Sequence, residues 1–330
     1  MLASTLDEFE AYLETVVDGA PDDPNRALLR EHFARDDPPA KRGKRMRPRI
    51  LLTVAESEGA DPRAAFGAAA ALELLHNFSL IHDDMEDGDE LRHGRPTLWA
   101  RFGIRPALIA GNAMSALAYL TLIDGSPALS PQQVAAMLAC LQQAHYRMCE
   151  GQAFDIGFER SPAVTFAKYL EMIEGKTAAL LGASCELGAL AAGCSGERAA
   201  AYGRVGRVYG LAFQVRDDAL GTWGLPEETG KPSGADIRRR KWSFPVAWAL
   251  DGPPSADRTI VAAAYATIGP LDDARAGRVI AALDRLGARE AADDACAAYI
   301  ADATAFAATH GLDRDGRLAA FLSSTAQRTV

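Results

Sequence analysis

Apolar residues recur along the chain at spacings of three and four, and the runs break at Gly, Pro or short polar stretches, which is the pattern of one helix after another. This periodicity predicts helices over 4–18, 24–36, 46–58, 62–90, 104–122, 130–157, 164–174, 176–193, 197–222, 240–251, 256–268, 272–286, 287–309 and 313–326. Strand signals are scarce. No low-complexity linker divides the sequence, so the pattern predicts a single all-α domain over residues 1–330. The short charged stretches at 37–48, 91–97 and 224–235 contain Pro or Gly and are the expected functional loops. A rigid helical frame carries its chemistry at such connections.

Composition narrows the classes of function. Apolar residues make up 48% and aromatics 7%, with Ala-rich windows at 64–75 and 291–308 that favour helix. The net charge of −9 argues against a general nucleic-acid binder, whose affinity comes from a cationic surface. The cysteines, Cys140, Cys149, Cys185, Cys194 and Cys296, are odd in number and scattered, so neither a disulfide framework nor a zinc site is indicated and a reducing cytoplasm fits. The first residues lack the basic segment and apolar core of a signal peptide. The apolar stretches at 64–82 and 106–123 are interrupted by Glu73, His76 and Asn112 or bounded by Asp124, and are expected to be buried helices rather than membrane spans.

Asp-Asp pairs are common in this sequence, and most read as solvated surface. The pair at Asp83–Asp84 differs, because it follows the apolar run LELLHNFSLIH and continues to Asp87. Asp83 and Asp87 then sit one turn apart on one helix face, where like charges are unfavourable unless a cation compensates. Hard carboxylate oxygens suit magnesium. Asp217–Asp218 has the same character within YGLAFQVRDDALGTWG, far enough along the chain for the two helices to face one another in a bundle. Basic segments accompany them: GKRMRP with Lys44, Arg45 and Arg47; LRHGRP with Arg92, His93 and Arg95; GKPSGADIRRRK with Lys231 and 238–241. Metal-binding carboxylates beside Lys and Arg are what a diphosphate requires.

Seven segments now stand in a recognisable order: GKRMRP, ELLHNFSLIHDDMED, RHGRPTLW, EGQAFDI, GKTAAL, FQVRDD and GKPSGADIRRRKWSFP. Over roughly residues 40 to 250 the chain resembles the trans-isoprenyl diphosphate synthases. That resemblance implies a helical bundle around a deep central cavity, a homodimer, and magnesium, three ions with diphosphate bound. Substrates would be isopentenyl diphosphate and C5 to C15 allylic diphosphates, joined head to tail. It implies magnesium ligands at Asp83, Asp87 and Asp217, supported by Asp84 and Asp218, with Asp236 near the third ion. Lys44, Arg47 and His76 match the isopentenyl diphosphate site. Arg92, Lys176, Thr177, Gln214, Lys231 and Lys241 match positions that hold the allylic diphosphate and its metals. In such enzymes the diphosphate departs, the allylic cation is attacked by the isopentenyl double bond, and a proton is lost.

Three positions depart from the family pattern. His93 stands where most members have a second arginine for isopentenyl diphosphate, Gly221 where many have a third aspartate of the second acidic motif, and Asn112 where an aspartate is common. His82 has no assigned partner, and the arginines at 238–240 are expected on a solvated face. Product length in the family is limited by side chains below the first acidic motif. Phe78 and Ser79 hold those positions here, and the single aromatic resembles geranylgeranyl diphosphate synthases, making C20 the expected product and C15 the runner-up. A terpene cyclase on the same fold is disfavoured by Lys44, Arg47 and His76, and a noncatalytic regulatory subunit by the intact aspartates. A di-iron bundle built on Glu73-x-x-His76 and Glu90-x-x-His93 is disfavoured because the two halves lie too close together.

Overall fold

The computed structural model describes residues 2–20, 23–34, 43–92, 94–225 and 232–326. The chain is all-α. In order, the helices are α1 (Leu2–Asp18), α2 (Pro24–His32), α3 (Met46–Ser57), α4 (Phe66–Glu86), α5 (Leu98–Phe102), α6 (Ile104–Asp124), α7 (Pro131–Glu159), α8 (Phe166–Ile173), α9 (Ala179–Ala191), α10 (Gly196–Trp223), α11 (Ala235–Arg238), α12 (Phe244–Asp251), α13 (Ala256–Tyr265), α14 (Asp273–Arg285), α15 (Ala288–Thr309) and α16 (Arg317–Ala326). Several begin where the polar breaks foretell. Asp23, Thr165, Ser255 and Asp272 each accept a first-turn backbone N–H, the N-cap bond that satisfies an orphan donor.

Local corrections to the predicted elements have physical causes. The stretch predicted as one helix over 62–90 starts as a 3-10 turn, Pro62–Ala65, and ends at Glu86. Beyond it, 91–97 forms a two-residue hairpin, Leu91–Arg92 against Arg95–Pro96, rather than a plain loop, with Gly94 at φ 77 in its turn. The expected break near 175 is instead a π-helical segment, Glu174–Ala178, that carries the helix onward into α9. The helix predicted over 240–251 begins only at Phe244, preceded by the short α11 that the pattern did not predict, and the one predicted over 313–326 begins at Arg317.

The contacts group into two compact units. The first contains Met1–Gln143, Ala183–Gly203 and Asp313–Leu318. Its centre is α4, whose small residues from Ala68 to Leu75 are buried and let α6 approach closely. A Cβ on Gly67 would fall 2.6 Å from the Gly125 backbone, and one on Gly111 would fall 2.3 Å from the His82 ring, so α4 and α6 touch near both ends. His82 therefore packs on α6. The stretches Pro62–Glu86 and Ile104–Asp124 are each long and apolar enough to cross a membrane, with mean hydropathies of 1.4 and 1.5, and the most apolar part of each is 72% and 39% buried. The first is thus a core helix, whereas α6 exposes Leu108, Ile109, Leu120 and Ile123.

Glu58 ties this unit's distant segments together. It accepts from Arg198 at 2.6 and 2.9 Å, from the Tyr202 hydroxyl at 2.5 Å and from Cys194 Sγ at 3.4 Å. Hydrogen bonding by Arg198 comes first among the causes that lower its pKa to about 2. A depressed carboxylate stabilises the fold above its unfolded value near 4.5, and this stability is lost as pH falls toward 2. The gap in urea midpoint between the parent and Glu58→Gln is accordingly expected to narrow between about pH 5.5 and pH 3.5. A constant gap would show that Glu58 acts without its charge.

The second unit contains Ala144–Gly182, Arg204–Leu312 and Ala319–Val330. Its core joins Tyr169, Val215, Trp242, Phe244 and Tyr265 with Ala and Val positions of α14 and α15. Arg240, expected on a solvated face, is 2% exposed. It donates to the carbonyls of Tyr265 at 2.7 Å, Ser161 at 3.2 Å and Glu159, and lies over the Tyr265 ring. The charge run misled because a buried guanidinium can satisfy its donors entirely with backbone carbonyls.

Candidate active site

In the first unit, the C-terminal half of α4 carries His76, Asp83 and Asp84, and Asp87 caps the helix. Asp84 is 3% exposed, and its Oδ1 accepts from Arg92 Nε and Nη2, both at 2.8 Å. Burial pushes its carboxyl pKa up, with Arg92 opposing. Asp83 is half-buried and Asp87 exposed. The hairpin bearing Arg92 is anchored at its base, where Thr97 and Trp99 donate to the carbonyl of Asp89.

Beside these carboxylates lies a cluster of cations. Arg47 is buried, and its Nε has no hydrogen-bond partner among the described residues. Burial lowers its pKa to about 10, against the pull of Glu73. His76 is held neutral, its pKa well below the usual histidine value, by burial first and then by Arg47 and Arg92. Lys44 is exposed. Arg45, grouped with these cations in the sequence, is a scaffold residue instead. Its backbone is left-handed at φ 47, and its guanidinium bonds Glu10 at 2.8 Å and Glu73 at 3.0 Å. Glu73 also accepts from Asn77, which meets His32, so Glu73 is engaged in a way that leaves no di-iron half-site.

In the second unit, Asp217 is exposed on α10 while Asp218 is 2% exposed. Asp218 Oδ2 accepts from the Tyr169 hydroxyl and the Phe244 backbone N–H, both at 2.7 Å, and Oδ1 accepts from Gln214 at 2.8 Å. Burial raises its pKa to about 6, with Lys241 as the main opposing influence. Asp84 and Asp218, expected to support the metal ligands, therefore share one arrangement: each is the buried member of its pair and is held by protein donors. Gln214 also accepts from Thr177.

The π-helical segment sets Lys176 and Thr177 where α7 passes very close, since a Cβ on Gly151 would meet the Lys176 backbone N at 2.1 Å. Lys176 Nζ bonds Asp155 at 2.6 Å. Asp155 was not among the predicted site residues. Its signal was its place in EGQAFDI, but nothing in the spacing showed a lysine partner. Burial works against the Lys241 ammonium, yet Asp155, Asp236, Asp218 and Asp217 outweigh it and hold its pKa well above the usual lysine value. His93 and Lys231 lie outside the described residues.

An all-α frame with two Asp-Asp turns, each accompanied by buried or half-buried cations, defines a helical protein of the isoprenyl synthase type. The chain belongs to the polyprenyl synthetase family, which residues 36–282 match. It is 47% identical over 220 residues to a (2E,6E)-farnesyl diphosphate synthase of Mycobacterium tuberculosis, covering 67% of this chain and 60% of that protein. It is 43% identical over 224 residues to a geranylgeranyl diphosphate synthase of the same organism, covering 68% of this chain and 63% of that one. The matches thus span less than two thirds of these relatives. A crystal structure of a geranylgeranyl pyrophosphate synthase superposes with a TM-score of 0.89 at 28% identity, covering 100% of this chain and 99% of that one.

Proposed function

We propose that this chain is a magnesium-dependent trans-prenyltransferase that condenses isopentenyl diphosphate with an allylic diphosphate. The observation that carries the reading is Arg47, a buried cation whose Nε has no hydrogen-bond partner among the described residues, next to the neutral His76. Such a group is costly unless an anion completes it. In this reading Lys44, Arg47, His76 and His93 bind isopentenyl diphosphate. Arg92, Lys176, Thr177, Gln214, Lys231 and Lys241 bind the allylic diphosphate. Asp83, Asp87 and Asp217 hold magnesium; Asp84 and Asp218 set the bearing of those turns, and Asp236 assists. The donor set fits the metal, because Asp83 and Asp87 offer hard oxygens one turn apart and Asp217 offers another from an exposed position. When bound, magnesium would neutralise charge on the departing diphosphate.

The chain's own groups do the rest. Lys241 keeps its proton and, with Lys176, stabilises diphosphate as it leaves, and no protein nucleophile is called for. Apolar side chains along α4 exclude water from the reactive cation. We read the chain as one catalytic domain, cytoplasmic, with C20 as the main product and C15 as the runner-up. The exposed apolar side chains of α6 support a homodimer, since exposed apolar faces mark association surfaces. Incubation of the purified protein with magnesium, isopentenyl diphosphate and C5, C10 or C15 starters is expected to give elongated linear diphosphates. Cyclised or hydrolysed products with no condensation would replace this reading with a terpene cyclase.

Product length offers a finer expectation. Phe78 packs edge-on against His82 at 4.7 Å, and the Ser79 hydroxyl bonds back to the His76 carbonyl. Phe78→Ala is expected to open apolar volume and shift products to C25 or longer, whereas Ser79→Phe shortens them towards C15. Chromatography of the dephosphorylated products reads this, and unchanged lengths in both variants would move the floor to α6.

A further inference from the structure

Gly221 lies one turn after Asp217 on α10, and neighbours at this spacing share a helix face. A Cβ built on Gly221 would fall 2.0 Å from Oδ2 and 2.6 Å from Cγ of Asp236. The Asp236 carboxylate therefore occupies the space a side chain at 221 would need. Its backbone is fixed independently: Asp236 lies in the first turn of α11 after the left-handed Gly234 at φ 75, and its carbonyl accepts from Lys241 N–H at 2.9 Å.

We infer that Asp236 supplies, from the loop side, the acidic group that position 221 lacks, and that Gly221 is bare because it seats this carboxylate beside Asp217. A glycine inside a helix costs about 1 kcal/mol relative to alanine, so the vacancy works against helix stability and is explained by what fills it. Gly221 and Asp236 then form one functional unit, a positioning residue and the carboxylate it admits. The inference rests on the metal roles proposed for Asp217 and Asp236 and adds the residue that seats Asp236.

Four full-length variants test this: Asp236→Ala, Gly221→Ala, Gly221→Ala with Asp236→Ala, and Gly221→Asp with Asp236→Ala. Manganese binding in the presence of inorganic diphosphate is measured by calorimetry, together with thermal midpoints. Each single variant is expected to weaken manganese binding by about tenfold, as loss of a supporting carboxylate does, and the alanine double variant to be no worse than either. Adding Gly221→Ala to Asp236→Ala raises the thermal midpoint, and Gly221→Asp with Asp236→Ala regains most of the affinity. Additive losses, unaltered affinity in Asp236→Ala, or a folded Gly221→Asp/Asp236→Ala variant without recovery would overturn the inference. A parent protein that neither binds manganese with diphosphate nor condenses any starter would sink the proposed function itself; a binding, condensing parent with an additive cycle sinks only the coupling.

Discussion

Alanine at Asp83, Asp87 or Asp217 is expected to lower turnover by roughly 10²–10⁴ while leaving the helical circular dichroism and thermal midpoint close to the parent. The range follows from losing several kcal/mol of charge stabilisation, each 1.36 kcal/mol being a tenfold rate change. The fold should tolerate these changes because Asp87 and Asp217 are exposed and Asp83 is only half-buried. Removing like charges from one helix face does not weaken it. Asp84→Ala and Asp218→Ala should behave differently, since they orphan buried donors from Arg92, Tyr169, Gln214 and the Phe244 backbone. Near-parental turnover at limiting magnesium in any of the first three variants would defeat its assigned role.

The largest expected loss of stability comes from Arg240→Ala. The side chain meets three backbone carbonyls and the Tyr265 ring inside the second unit. Hydrogen bonds from a charged donor contribute about 1.5–3 kcal/mol each, and buried carbonyls left unpaired add their desolvation penalty. A net cost of roughly 3–5 kcal/mol follows, corresponding to roughly 5–15 °C in thermal midpoint. Because Asp236 and Lys241 flank this arginine in sequence, the Michaelis constant for the allylic substrate should rise as well. Arg240→Lys should recover only part of the midpoint, since an ammonium cannot reproduce the planar fork. A midpoint within a degree of the parent would show that the clamp contributes nothing net.

The sequence made the helical class readable because its apolar periodicity is sustained, and both acidic turns stood out as charge embedded in apolar helix. Boundaries were less legible where tertiary contacts override local signals. Glycine at 175 read as a break, but close packing against Gly151 makes it part of a π-helical passage. Charge in itself proved ambiguous. Arg45, Arg47 and Arg240 look alike in a string, yet one is tied to two glutamates, one has a buried Nε with no hydrogen-bond partner among the described residues, and one caps backbone carbonyls. Partnerships of this kind depend on segments far apart in the chain, and Asp155 with Lys176 was missed for the same reason.

The paired contacts of α4 with α6, Gly67 on Gly125 and His82 on Gly111, bear on how such a protein can diversify. With the two helices riveted near both ends, neither can slide to lengthen or shorten the wall between them. On the proposed reading, variation in product size then comes from exchanging individual side chains along that wall, each a single heritable step that leaves the frame untouched.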